Sequence, residues 1–266
     1  MLKRRLLILF CFVAACWPSS APAESVLFYA DDLPPYIQLH GQAPPTGFAV
    51  ELIREMVREA GMPESDITIE VMNWARAVYT VRTVSGTALL CLARLPERVD
   101  WYKWVGPIDF MKVGLFANGT AGISLEKAED LFRYRIGVVR NTALEFSLIA
   151  AHPGVEGNLV ELRSIDTQLK MLREGRVDLI AQGLLATRGM MSRHDMRQEE
   201  YVLVRELEPL KMYFGFNASV SDAFIARLQA ALDRLKRCKS GEKSRYEQIK
   251  AKYFSPARGD GAPSGS

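Results

Sequence analysis

Arg98 is the residue best placed to bind something. It stands in Leu95-Pro96-Glu97-Arg98, just past the apolar run from Thr87 to Ala93. A guanidinium there offers a planar fork of N–H donors that matches a carboxylate with two parallel hydrogen bonds. Arg94, four residues earlier, is a second cationic candidate. Upstream, Leu33-Pro34-Pro35-Tyr36 sets an aromatic ring after paired prolines, and Gly47-Phe48-Ala49-Val50-Glu51-Leu52 turns into a helix. Trp74 lies at the head of a second helical segment. An aromatic after prolines, a glycine turn and an arginine beyond a buried strand can wall one cleft. Tyr36 and Trp74 are its candidate stacking surfaces, contributing about 0.5–1.5 kcal/mol beyond area burial. Glu51 either binds a basic group or is a solvated first-turn acid. Thr142, after Asn141 at another helix start, either favours an anion with the free N–H groups there or only caps its helix. Trp74 could equally serve the core, and Arg98 could pair with Glu97 or Asp100.

No nucleophile elbow, zinc helix or phosphate loop occurs. Glu51, Glu145 and Asp178 could move protons, but none stands in a recognisable catalytic motif. His40, His152 and His194 have no zinc-like spacing with cysteine or acid. We expect no enzyme, no cofactor and no metal.

The elements that must position these residues alternate short apolar runs with amphipathic helices, the pattern of α/β layers. Val26 to Ala30, Ile67 to Met72 and Thr87 to Ala93 read as strands, the last apolar throughout as in a buried parallel strand. Asp31 to Thr46 reads as a Pro/Gly-rich loop. From Phe48 to Ala60, Leu52, Ile53, Met56, Val57 and Ala60 recur at helical spacing. Asn73 is the expected cap of a helix carrying Trp74, Ala77, Val78 and Val81 on one face. A second set follows: strands at Arg135 to Val139, Leu159 to Leu162 and Val177 to Ala181, and a helix from Asp166 to Glu174. Tyr201 to Arg205 and Leu210 to Phe216 read as two strands. Phe224, Leu228, Ala231, Leu232 and Leu235 stripe a long helix.

Residues 1–23 carry Lys3, Arg4 and Arg5, an apolar run from Leu6 to Ala15, and Ala21-Pro22-Ala23 before Glu24. That is the make-up of an export signal with its cleavage site. The alternative is a lipoprotein box, Val13-Ala14-Ala15-Cys16, anchored through Cys16. Both place the rest of the chain in the periplasm. Three of the 34 bases fall in this leader and none of the 31 acids, so residues 24–266 carry 31 of each. A neutral chain gives no case for nucleic acid. Cys91 and Cys238 are two cysteines, too few for a disulfide framework, and their pairing is open. The Gly/Pro/Ser-rich tail, residues 257–266, reads as disordered.

Taken in order, Leu33-Pro34-Pro35-Tyr36, Gly47-Phe48-Ala49-Val50-Glu51-Leu52, Trp74, Leu95-Pro96-Glu97-Arg98 and Trp104-Val105-Gly106-Pro107 resemble the bacterial extracellular solute-binding proteins of family 3. These are the polar amino-acid type that serves ABC importers, and the resemblance spans Val26 to Phe254. It implies a type II periplasmic binding protein, a Venus flytrap of two lobes joined by two crossover hinge strands. Lobe 1 would be 24–112 with a return at 215–256, and lobe 2 would be 113–214. It implies that Arg98 grips a ligand carboxylate, that Tyr36 and Trp74 sandwich the ligand, and that Thr142 sits in a helix-start turn. It implies a small-molecule ligand, an ABC permease partner and a monomer. Trp101 and Trp104, just before the first crossover, read as lobe packing or hinge support rather than ligand contacts. Three departures stand out. Asn141 replaces a glycine before Thr142. Ala93 and Leu95 replace hydroxyl residues ahead of the arginine. The aspartate that holds an α-ammonium is replaced by Gly183, preceded by Gln182, which is added to the candidate ligand contacts. An unpaired buried ammonium is costly, so the expected ligand bears a carboxylate but no α-ammonium.

Overall fold

The computed structural model describes residues 24–238 and 241–254. The leader with Cys16 and the tail 257–266 lie outside them. Among the described residues, ten strands and seven α-helices follow one another. In the first half come β1 (Val26–Ala30), β2 (Gln38–His40), β3 (Ala43–Thr46), α1 (Phe48–Glu59), β4 (Ile67–Val71), α2 (Trp74–Thr83) and β5 (Thr87–Ala93). A long β6 (Lys103–Asn118) leads to β7 (Ile136–Val139), α3 (Ala143–Ala151), β8 (Leu159–Leu162), α4 (Ile165–Arg173), β9 (Leu179–Gly183) and α5 (Leu184–Met191). The equally long β10 (Tyr201–Phe216) returns, followed by α6 (Asp222–Lys236) and α7 (Arg245–Phe254).

The sheet runs β4-β1-β5-β10-β6-β9-β7-β8. Its outer thirds are parallel, β1 with β4 and β5 on one side, β7 with β8 and β9 on the other. The two 16-residue strands β6 and β10 pair antiparallel with one another along nearly their whole length. The end of β10 pairs with β5 through Met212 to Phe216, and the later part of β6 pairs with β9 through Val113 to Phe116. The same two strands therefore belong to both halves of the molecule.

Burial explains the local choices. Every residue of β5 is buried, as a strand between two neighbours and under helices must be. In α1, Leu52, Ile53, Met56 and Val57 are fully buried, and α6 buries Phe224, Leu228, Ala231, Leu232 and Leu235. Phe28, Phe214 and Phe216 meet edge to face across β1 and β10, with centroids 6.3 and 5.4 Å apart. One glycine is compulsory. Gly47 has φ 121°, and a Cβ there would stand 2.5 Å from the Tyr36 carbonyl oxygen.

Four sequence expectations need correction. The loop from Asp31 to Thr46 contains the β2–β3 hairpin. Tyr201 to Phe216 is one strand, not two, because it carries its irregularities as register shifts against β6. Asn73 precedes α2 but makes no side-chain cap. Its amide instead donates to the Arg163 carbonyl, 2.7 Å away on the far side of the cleft. The strand expected at Val177 to Ala181 begins only at Leu179 and runs on to Gly183. Helices α5 and α7 had no counterpart in the sequence reading. Cys91 is buried and Cys238 exposed, and both are free thiols.

Candidate functional site

A cavity of about 80 Å³ opens between the two halves, at the carboxyl ends of the parallel strands. Open α/β sheets place their ligands there. On the scale where one water takes roughly 10–15 Å³, the cavity suits a solute of about five to eight non-hydrogen atoms. The first half supplies Asp31 and Asp32 after β1, Trp74 at the head of α2, Cys91 and Ala93 on β5, and Arg98. The crossovers supply Met111, Leu210 and Met212. The second half supplies Val139, Thr142, Ala143, Leu144, Ile165 and Gln182.

Arg98 lies in the 3-10 turn Pro96–Trp101 and is only 2 % exposed. Its Nε and Nη2 donate to the Ala93 carbonyl at 2.9 and 2.6 Å, which fixes the guanidinium against the end of β5. Nη1 is buried with no hydrogen-bond partner among the described residues. Neither Glu97 nor Asp100 pairs with it in an ion bridge. Burial lowers its pKa to about 10, so it remains a cation at neutral pH. A buried cation with a spare N–H in a cavity wall calls for an acceptor, and an anionic one best.

Thr142 faces the same cavity at the N-terminus of α3. It does not cap the helix by its side chain. Its hydroxyl donates to the Val139 carbonyl at 2.7 Å, leaving the cavity with the first turn of α3, Ala143 and Leu144. The exchange of glycine for Asn141 leaves the turn intact. Asn141 adopts φ 61°, the left-handed conformation that asparagine tolerates better than other side chains. The Glu145 carboxylate accepts the Asn141 N–H at 2.6 Å, and burial raises its pKa. Trp74 also faces the cavity, and its indole N–H donates to the Asn141 carbonyl at 3.0 Å. It therefore joins one half to the other as well as forming wall.

Gln182 is 5 % exposed and lines the cavity, with its polar atoms engaged elsewhere. Its Oε1 accepts the Gly183 N–H at 2.7 Å, and its Nε2 donates to Gln168 at 3.1 Å.

Three candidates are not in the cavity wall. Tyr36 is 2 % exposed and packs edge to face on Phe48 and Phe254, with centroids 6.1 and 5.1 Å away. Its hydroxyl donates to Asp109 at 2.8 Å, and Lys250 pairs with the same carboxylate at 2.5 Å. The turn after the paired prolines rotates Tyr36 under α1 and presents Leu33 and Ile37 to the cavity instead. Arg94 is exposed and lies over Trp104 and Tyr213, 5.7 and 5.9 Å from their centroids. Glu51 ties α1 to α7 through Lys252 at 2.5 Å and the Tyr253 hydroxyl at 2.6 Å.

Asp31 and Asp32 were missed. Asp31 Oδ1 accepts the Asp32 N–H at 2.9 Å and Oδ2 accepts the Trp74 N–H at 2.8 Å, so the carboxylate holds the start of α2. Burial raises its pKa, and Asp32 and Asp166 nearby push the same way. Asp32 forms an ion pair with Arg193 across the cleft. The available signal was positional. Two acids follow β1 just as Arg98 follows β5, at the strand ends where ligands sit. Among the described residues, no group of three His, Cys, Asp or Glu side chains is placed to hold a metal. No described helix is long and apolar enough to cross a membrane.

No family model matches the chain, and no curated protein does. Solved structures do. A histidine kinase sensor domain with similarity to periplasmic binding proteins superposes with TM-score 0.75 at 19% identity, covering 87% of this chain and 96% of the other. The arginine-, lysine-, histidine-binding protein ArtJ from Geobacillus stearothermophilus gives 0.71 at 15%, covering 88% and 96%. A mutant of ArgBP from T. maritima gives 0.71 at 18%, covering 87% and 95%. At these identities the likeness is one of fold. The chain has the two-lobed α/β fold of periplasmic binding proteins, with β6 and β10 as its crossovers.

Proposed function

We propose that this protein captures a small carboxylate-bearing solute between its lobes outside the inner membrane and presents it to an ABC permease. The observation that carries the reading is Arg98: a residue in the wall of an interlobe cavity whose buried guanidinium is held by one backbone carbonyl and whose Nη1 has no partner among the described residues. The first turn of α3 faces the same cavity from the other half, and a helix N-terminus favours negative charge. Contacts from a ligand to both lobes favour a closed state over an open one, and β6 and β10 are the strands about which closure would hinge. The lobe bounds 24–112, 113–214 and 215–256, the export signal over residues 1–23 and the monomeric state belong to this reading.

A second destination for the captured solute has support of its own. One of the similar structures is the sensor domain of a histidine kinase, so delivery of the bound state to a sensor rather than a permease is the alternative. An enzyme is disfavoured. Glu145 and Asp178 both act within the structure, Glu145 on the Asn141 turn and Asp178 on Arg135.

The testing experiment is isothermal titration with short carboxylates on the wild type and on Arg98→Ala and Arg98→Lys. Wild-type binding that Arg98→Ala abolishes and Arg98→Lys weakens supports the reading. Equal affinity in all three proteins contradicts it.

A further inference from the structure

The cavity wall near Arg98 is apolar where a second charge could have stood. Met111 lines it, and a Cβ built on Gly183 would meet the Met111 sulfur at 3.1 Å, so any larger residue at 183 displaces that thioether. Met212, Leu210, Cys91 and Ala93 continue the same surface. Gln182 is uncharged, and both ends of its amide are engaged, Oε1 by the Gly183 N–H and Nε2 on Gln168. The carboxylates in the lining are Asp31 and Asp32 alone. Asp32 is neutralised by Arg193 and also accepts the Leu39 N–H, whereas Asp31 has no cationic partner among the described residues. Asp31 accepts two backbone N–H groups, which leaves lone pairs free on a carboxylate with about four acceptor sites.

Strand order separates the two charges. Arg98 is fixed to the end of β5, whereas Asp31 stands at the end of the neighbouring strand β1, tied to the head of α2. Tyr29 pairs with Leu89, so Ala93, which anchors Arg98, lies two residues beyond the level of Asp31 on the adjacent strand. With strands about 4.8 Å apart and about 3.3 Å per residue, the two backbone anchors are roughly 8 Å apart.

We infer that the ligand is an ω-amino carboxylate: its carboxylate on Arg98, an unbranched apolar chain along Met111 and Met212, and its ammonium on Asp31, with no charge on the α-carbon. This rests on the reading of Arg98 as the carboxylate anchor. The chain length follows from the cavity, since 5-aminopentanoate has eight non-hydrogen atoms and an extended span that bridges the strand spacing.

The test is isothermal titration of the full chain with 5-aminopentanoate, pentanoate and norvaline, which share five carbons and differ in where, and whether, the ammonium sits. The expected result is 5-aminopentanoate binding at least tenfold tighter than either of the others. Asp31→Asn, which keeps an acceptor for the Trp74 N–H, erases that advantage while pentanoate affinity stays within threefold. Because Asp31 also holds α2, a second variant works by gain rather than loss: Met111→Ala with Gly183→Asp is expected to bind norvaline at least tenfold better than wild type does. Wild-type preference for norvaline, or equal affinity for pentanoate and 5-aminopentanoate, overturns this inference while leaving Arg98-dependent capture in place. Absence of Arg98-dependent binding to any of the three carboxylates overturns the capture reading itself.

Discussion

At the scale of residues, the site depends on which polar groups are already satisfied. Gln182, Glu145 and Asp32 line or border the cavity, but Gln182 and Glu145 hold the Gly183 and Asn141 N–H groups and Asp32 is neutralised by Arg193. Arg98 and Asp31 retain capacity. Asp178 is the contrast. Three N–H groups of Arg135, one backbone and two side-chain, bind its carboxylate at 2.8–3.1 Å, and these bonds hold its pKa below the usual carboxylate range. A depressed acid stabilises the fold when ionised, so its contribution is present above the unfolded value near 3.9 and is lost as pH falls below it. Asp178→Asn is therefore less stable than wild type by a constant small amount above about pH 5 in urea titrations. That gap closes toward pH 2. A gap that widens with acid contradicts the assignment.

At the scale of elements, much was legible because burial writes itself into the sequence. The run Thr87–Ala93 is apolar because β5 is covered on both faces, and the stripes of α1 and α6 are their buried faces. Strand β6 was harder. It passes from one half to the other, so its buried side changes along its length and no single alternation survives. Helix α7 buries only Ile249 fully and is otherwise charged and aromatic, which leaves no clear stripe. Tyr36 shows the limit for the site. The residue type suits a ligand sandwich, but its orientation is decided by α1 and by Phe254 at the far end of the described chain. Arg98 was legible because it follows a buried strand at the end where open α/β sheets place ligands, although Arg94 follows the same strand and lies outside the cavity. The turn before α1 supplies the prediction here. Gly47→Ala forces a side chain to φ 121° and against the Tyr36 carbonyl, costing about 1–3 kcal/mol of stability. Thermal melts should show a loss of several degrees, and an unchanged midpoint contradicts the strained turn.

At the scale of the whole molecule, the halves touch along the rim as well as across the cavity. Trp74 reaches Asn141, Asn73 reaches Arg163 and Asp32 reaches Arg193. These contacts favour closure without touching the ligand's charged ends, so they tune affinity rather than specificity. Trp74→Phe keeps the ring surface but removes the indole donor. It should weaken all ligands alike, by roughly 3–10-fold for the loss of about 0.5–1.5 kcal/mol. A change in ligand ranking in a titration series would mean that the indole N–H selects the ligand.

The central claim is that Arg98 anchors a carboxylate between two lobes. A thermal melt of wild type and Arg98→Ala with 5-aminopentanoate and with pentanoate tests it most directly. At a concentration near 100 times its dissociation constant a ligand adds about 2.7 kcal/mol, which for this chain length is roughly 5–10 °C. The expected result is such a rise for the wild type with at least one carboxylate and none for Arg98→Ala measured from its own unliganded midpoint. Equal rises in the two proteins, or no rise in the wild type with either carboxylate, contradict it.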